Sequence, residues 1–192
     1  MKIEQIYTGC LAEAAYYIES NGEAAIIDPL REVEPYLKKA AQNNAKIKYI
    51  FETHFHADFV SGHVDLAEKS GAQIVYGPTA VTSFPSHIAT DGEEFKVGDL
   101  TITALHTPGH TLESTTYLLT DKDGVKHCIF SGDTLFIGDV GRPDLAQKGD
   151  LTMEDLASIL YDSLHTKIMT LPDEIIVYPA HGAGSACGKS MS

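Results

Sequence analysis

Apolar and polar positions along the chain change period several times, and each change marks an element. Short alternating runs come first: "KIEQIY", "AAYYIE" and "AAIIDP", with "SNGE" as a hairpin turn between the second and third. From Glu34 to Asn43 the period becomes helical, and Pro35 is acceptable there because the first turn of a helix has no partner for its N–H. "IKYIFE" predicts a buried strand, Ser61 to Ser70 a helix closed by Gly71, and "QIVYG" another strand. "LTITALH", "STTYLLT" and "KHCIFSGD" predict three more strands, the last two joined by the turn "DKDG". "LTMEDLASILYDSLHTKI" reads as one amphipathic helix, with Thr152 as N-cap and Asp155 completing a weak capping box. "EIIVYPAHG" is a last strand running into a loop. With no tandem repeat or low-complexity tract, residues 1–192 are expected to form one α/β domain, two sheets covered outside by helices.

Composition narrows the class. A chain of 192 residues, 43% hydrophobic, is long enough for a substantial core. Its net charge of -13 argues against nucleic acid or an anionic membrane as partner, since both require a basic surface. No apolar stretch approaches the ~20 residues of a membrane span, and "MKIEQIYTGC" lacks the apolar segment of an export signal. Cys10, Cys128 and Cys187 are few, odd in number and widely spaced, which fits a reducing cytoplasm better than a disulfide framework.

The candidate chemistry lies where strands pass into loops. His54, His56 and Asp58 follow one strand in "THFHADFVSGH", His110 follows another in "HTPGHT", Asp133 a third in "SGDTLF", and His181 the last in "YPAHG". A sheet whose strand ends converge on one edge brings such residues together. Histidine and carboxylate suit Zn, Fe or Mn, with no thiolate cage. His87, His127 and His165 read as surface or capping residues, and so for the most part do His63 and His106.

With these motifs in place, the chain resembles the metallo-β-lactamase fold superfamily. "THFHAD" matches its H-x-H-x-D signature, and His110, Asp133 and His181 fall in its later ligand motifs. The resemblance implies an αβ/βα four-layer sandwich: two mixed sheets flanked by helices, with the metal at one edge. "GDTLFIGDVGR" and "HTPGHT" are similar to the glyoxalase II and persulfide dioxygenase branch, whose substrates derive from thiols such as glutathione.

Two activities follow from that resemblance. In the binuclear hydrolase pattern, His54, His56 and His110 hold one ion. Asp58, the histidine after it and His181 hold a second, and Asp133 bridges them. Here Phe59 replaces that histidine. A single ion held by His54, His110 and Asp133 is a facial triad suited to Fe(II). The first expectation is therefore a persulfide dioxygenase with one Fe(II) per chain, oxidising glutathione persulfide or another small-thiol persulfide with O2 to sulfite and thiol in sulfide detoxification. His54, His110 and Asp133 would be catalytic, and His56, Asp58 and His181 would orient ligands or waters. Arg142 would brace a loop through Asp144 or Asp139, or hold an anionic substrate. The alternative is a Zn-dependent thioester hydrolase of glyoxalase II type.

The similarity to bacterial rhodanese fusions implies further C-terminal elements or a following rhodanese domain as sulfurtransferase partner, and leaves a homo-oligomer open. Ala183 stands where glutathione-specific members carry a tyrosine, which leaves the thiol carrier open, and Cys187 reads as an inert free thiol.

Overall fold

Side-chain alternation along the first strands sorts apolar residues onto two faces, and each face acquires its own core in the computed structural model, which describes residues 1–146 and 151–182. β1 (Lys2–Thr8), β2 (Glu13–Ser20) and β3 (Glu23–Ile27) pair antiparallel. β4 (Lys46–Phe51), β5 (Gln73–Tyr76) and β6 (His87–Ile88) then add in parallel, giving a six-stranded sheet in chain order. The parallel steps from β3 to β4 and from β4 to β5 use helical crossovers, α1 (Glu34–Gln42) and α2 (His63–Ser70), as parallel pairing requires. A second sheet has the order β11-β10-β9-β8-β7. Its members are β7 (Glu94–Val97), β8 (Leu100–His106), β9 (Thr115–Thr120), β10 (Lys126–Gly132) and β11 (Ile176–Pro179). Only β10 and β11 are parallel there.

The sheets face each other through Tyr16, Ile18, Ile27 and Phe51 on one side and Phe95, Ile102, Tyr117 and Phe130 on the other, all buried. Tyr17, Ile26, Ile50 and Ile74 point the opposite way and pack under α1 and α2 with Tyr36 and Leu66. The outer face of the second sheet, with Leu118 and Ile129, is covered by the segment after α3 (Met153–Ser163) through Ile168. The result is the four-layer α/β/β/α sandwich expected above.

Three details depart from the sequence reading, the first being β7 (Glu94–Val97), which is not among the strands expected there. The helix expected over 151–168 is α-helical only to Ser163 and continues as a π-helical turn, Leu164–Ile168. Thr152 does cap it: its hydroxyl accepts from Asp155 N, and Asp155 reaches back to Thr152 N. β6, only two residues long, is too short for alternation to register. Ala183 and Cys187 lie outside the described residues. Among the described residues no helix is long and apolar enough to cross a membrane.

Strand ends from both sheets meet along one edge, and close backbone approach fixes them there. Gly132 ends β10 at φ 54, and an added Cβ would lie 2.6 Å from the Thr53 side chain that precedes His54. Its carbonyl accepts from Ala180 N at 3.1 Å, which ties β11 to the same corner. The alternation also places three carboxylates on the helix-facing side of this edge. Glu13, Asp28 and Glu52 share the parity of Tyr17, Ile26 and Ile50, and all three are buried. Neither Glu13 oxygen has a hydrogen bond, and burial, with Asp28 nearby, pushes its carboxyl up to about 8.

Two outcomes follow. Gly132→Ala should destabilise the fold by about 2–4 kcal/mol, combining left-handed backbone strain with overpacking, measured as a lower denaturant midpoint. A loss below about 0.5 kcal/mol, the scale of an ordinary surface change, would contradict that approach. The folded state keeps a proton on Glu13 that the unfolded chain releases above its ordinary value of 4.5, so this contribution to stability is lost as pH rises toward about 8. Glu13→Gln should therefore raise Tm by roughly 5 °C at pH 9 and leave it nearly unchanged at pH 4. An equal shift at both values would show that Glu13 does not titrate in this way.

Candidate metal centre

Thr53 organises the corner. Its N–H donates to Asp28 Oδ1 at 2.7 Å and its hydroxyl to Asp28 Oδ2 at 2.8 Å, so the loop after β4 is tied to the residue after β3. The Thr53 carbonyl accepts from Thr115 N at 2.8 Å, which joins that loop to the second sheet. Asp28 sits at φ 48, a left-handed conformation that aspartate tolerates better than most residues.

These contacts settle the form of two histidines. The Thr53 hydroxyl proton goes to Asp28, so at the 3.0 Å contact between Thr53 Oγ1 and His54 Nδ1 the imidazole must donate. His110 Nδ1 lies 3.1 Å from the Arg142 carbonyl, which can only accept. Each ring therefore carries a proton on Nδ1, which leaves Nε2 as the nitrogen that can ligate. Burial, then His56, His110 and His181, holds the His54 pKa well below the usual range, which keeps it neutral.

Both Nε2 atoms face the same carboxylate. His54 Nε2 is 3.8 Å and His110 Nε2 3.4 Å from Asp133 Oδ2, and one ligand atom from each residue lies within 4.8 Å of the others. All three residues are buried. The lone pair of neutral His54 directed at a carboxylate is unfavourable unless a cation lies between them, and His110 Nε2 faces the same oxygen, so the residues present fit a metal ion. The Nδ1 hydrogen bonds are the kind that orient ligating imidazoles. Gly141 allows the Arg142 loop to close on this point, since a Cβ there would meet the Asp133 carbonyl at 1.8 Å.

The other candidates stand around this trio in different ways. His181 Nε2 lies 3.2 Å from Asp58 Oδ2 and 3.5 Å from Asp133 Oδ1, so Asp58, His181 and Asp133 form a second row beside it. His56 directs one nitrogen at the acids: its Nε2 is 3.1 Å from Asp28 Oδ1 and 3.7 Å from Glu52 Oε2, while its Nδ1 is buried without a hydrogen bond and its ring centroid lies 4.2 Å from that of His54. Burial lowers the His56 pKa, but Asp28 and Glu52 outweigh it and hold the value up at about 9. The Phe59 ring packs on the His56 ring with centroids 4.3 Å apart. Arg142 pairs with Asp144 through Nε at 3.1 Å and Nη2 at 2.5 Å. His87, His127 and His165 bond to Glu93, Asp121 and the Tyr161 carbonyl, away from the trio, and His106 bonds to the Leu112 carbonyl.

Four residues of this corner escape a motif reading: Glu13, Asp28, Glu52 and Thr53. The available signal was a charge at the end of an apolar strand, "AAIIDP" and "IKYIFE", where a buried position is expected.

Comparison with known proteins agrees with the geometry. The metallo-beta-lactamase superfamily model matches residues 8–181. A probable hydroxyacylglutathione hydrolase of Schizosaccharomyces pombe is 31% identical over 92% of this chain and 66% of its own length. The cytoplasmic hydroxyacylglutathione hydrolase of Arabidopsis thaliana is 32% identical over 94% of this chain and 67% of its own. The chain thus spans about two thirds of these relatives. Among solved structures, a metallo-beta-lactamase from Staphylococcus aureus superposes with a TM-score of 0.90 at 39% identity, covering 98% of this chain and 58% of that one. ETHE1 from Myxococcus xanthus superposes with a TM-score of 0.84 at 33% identity, covering 99% and 80%.

These findings correct the first activity expected above. Persulfide oxidation is overturned by curated relatives at 31–36% identity that are named hydroxyacylglutathione hydrolases. The physical reason lies in Phe59, on which that expectation rested. It packs on His56 and leaves the His54–His110–Asp133 trio intact, and one ion with an open position is enough for hydrolysis. Phe59 therefore does not separate oxygenation from hydrolysis, and the trio alone does not select iron. A family-model match over residues 8–181, with curated relatives above 30% identity and a shared fold, establishes that this chain belongs to the metallo-beta-lactamase superfamily.

Proposed function

We propose that this domain is the catalytic part of a zinc-dependent thioester hydrolase of the hydroxyacylglutathione hydrolase kind, acting on acyl thioesters of a small thiol such as glutathione. The observation that carries the reading is the pair of imidazoles, His54 and His110, each donating from Nδ1, whose Nε2 atoms converge on Asp133 in a buried pocket. The names of the curated relatives support the substrate class. A zinc ion would be held by these three residues and would supply Lewis acidity and a water acidic enough to react near neutral pH.

The chain's own residues supply the rest. A cleft of about 400 Å³, lined by Phe55, Thr79, Val81, Thr111, Leu112 and Glu113, runs beside the trio, because Phe55 follows His54 and Thr111 follows His110. Its mainly apolar wall suits an acyl chain or the methylene portion of a thiol carrier. Glu113 Oε1 accepts from Phe55 N at 3.0 Å and stiffens that wall. Asp58 is the more exposed member of its pair with His181, with 22% of its side-chain surface accessible. It is placed to accept a proton from water attacking the thioester carbonyl, with His181 holding its Oδ2. Arg142, paired with Asp144, holds the loop whose carbonyl orients His110.

Zinc-loaded protein should hydrolyse S-lactoylglutathione or a related thioester, followed by loss of thioester absorbance. No turnover across a panel of glutathione, coenzyme A and other small-thiol thioesters would remove the proposal. Within that assay the ligands should be unequal. His54→Ala, His110→Ala and Asp133→Ala should each lose the catalytic zinc and all turnover. His56→Ala should keep that zinc and lose at most ~10–100-fold in activity, as expected for a residue outside the coordination sphere. If His56→Ala empties the catalytic position as fully as His54→Ala, the three-residue assignment is wrong.

A further inference from the structure

We propose that Glu113 selects the thiol carrier. Its carboxylate, in the wall of the cleft beside the trio, favours a carrier that presents an ammonium group there and disfavours one that presents a carboxylate or phosphate. This inference rests on the thioester hydrolase reading and names the substrate class within it.

The turn after His110 fixes the carboxylate in place. Glu113 follows His110 by three residues, and its Oε1 accepts at 3.0 Å from the N–H of Phe55, the residue after His54. The charge is thus tied to the neighbours of two members of the trio. The other polar groups of the turn are used internally. The Thr111 and Ser114 hydroxyls pair at 2.8 Å, and the Thr115 hydroxyl donates to the Glu113 carbonyl at 3.0 Å. The Leu112 carbonyl accepts from Thr79 Oγ1 at 3.1 Å and from His106 Nε2 at 2.9 Å. Gly77 lets the chain after β5 lie directly on this turn, since an added Cβ would meet Thr115 Oγ1 at 1.6 Å and the Glu113 carbonyl at 2.9 Å. The wall is therefore built before a substrate arrives, and binding does not have to order it.

What the wall leaves for a ligand is charge. Among the described residues that line the cleft, Glu113 alone ionises, and no lysine or arginine stands with it. Its bond to a neutral N–H leaves the negative charge in place. Phe55, Val81 and Leu112 are exposed on the same wall, and a cleft of one sign with apolar sides focuses the field of its charge. The net charge of -13 acts in the same sense. An ammonium group entering the cleft meets Glu113 as a charge-assisted partner, while a phosphate or carboxylate is repelled and finds no cation. The ammonium must lie several bonds from the sulfur, because an amine next to the thioester would take the acyl group itself.

Three thioesters of one acyl group test the inference. Their carriers are thiocholine, which is permanently cationic, its neutral isostere 3,3-dimethylbutanethiol, and the anionic 3-mercaptopropionate. Zinc-loaded wild-type protein should prefer the cationic to the anionic carrier by about tenfold in kcat/KM, the scale of two partly exposed charge interactions, with the neutral carrier between. Glu113→Gln keeps an oxygen to accept from Phe55 N and removes the charge. It should bring the three carriers within about twofold of one another, with the change in KM. Because a ratio between carriers is read, a general loss of turnover does not affect the result. Should Glu113→Gln fail to fold, salt decides with wild type: raising it from about 0.01 to about 1 M, which shortens the Debye length from ~30 to ~3 Å, should erase most of the preference. A wild-type ratio near one, or a preference that survives both the substitution and salt, overturns the inference. If none of the three is hydrolysed, the thioester reading fails separately. Binding of the matching non-hydrolysable thioethers, followed by NMR at the Phe55 and Glu113 amides, then decides: tighter binding of the cation that Glu113→Gln abolishes supports the inference, and equal binding of all three overturns it.

Discussion

Thr53 gives two hydrogen bonds to Asp28, and the arrangement of the metal centre depends on them. Bonds of this kind, to a charged acceptor, are worth about 1.5–3 kcal/mol each, and a buried carboxylate that lost them would be strongly penalised. They bring the loop after β4 against the end of β3. They also consume the Thr53 hydroxyl proton, which forces His54 to donate from Nδ1 and present Nε2 to Asp133. The tautomer of one candidate ligand is thus decided by an aspartate on a neighbouring strand. Gly132 extends the same constraint to the second sheet, since only a residue without Cβ can lie so close to Thr53 and still place Asp133 opposite His54.

The corner divides into two compartments with different electrostatics. On one side, Nε2 of His54 and of His110 converge on a single carboxylate; on the other, His56 Nε2 lies among buried acids with Phe59 packed on its ring. A sequence motif lists His54 and His56 as equivalents two residues apart; in the structure their rings lie 4.2 Å apart between centroids, but their Nε2 atoms face different carboxylates. The pull of Asp28 and Glu52 on His56 explains this. It also explains why an aromatic residue is accommodated at position 59, where the ring covers His56.

Much of this was legible in the chain. The alternation of "KIEQIY", "AAYYIE" and "AAIIDP" and the helical period after Glu34 give the first sheet and its crossover, because the buried faces there follow regular periods. The ligand-type residues were visible because each sits at a strand end beside glycine or proline. What stayed hidden has no local signature. The π-helical turn after Ser163 keeps an apolar pattern close to that of an α-helix, so the period does not reveal it. Glu13, Asp28 and Glu52 come together only once strand order and register are known, since they are distant in sequence and adjacent in the sheet. The branch of chemistry was misjudged at Phe59 for a related reason: a missing ligand was read without knowing what the replacement touches.

The separation of His54 from His56 can be observed directly by following the ring nitrogens of the histidines by NMR as one equivalent of zinc is added to metal-free protein. Coordination by the trio predicts that Nε2 of His54 and of His110 shift together on that first equivalent, with Nδ1 of both remaining protonated and His56 unmoved. A shift of His56 Nε2 in step with His54 on the first equivalent would contradict it, showing that the two histidines share one ion and that the compartments are not distinct.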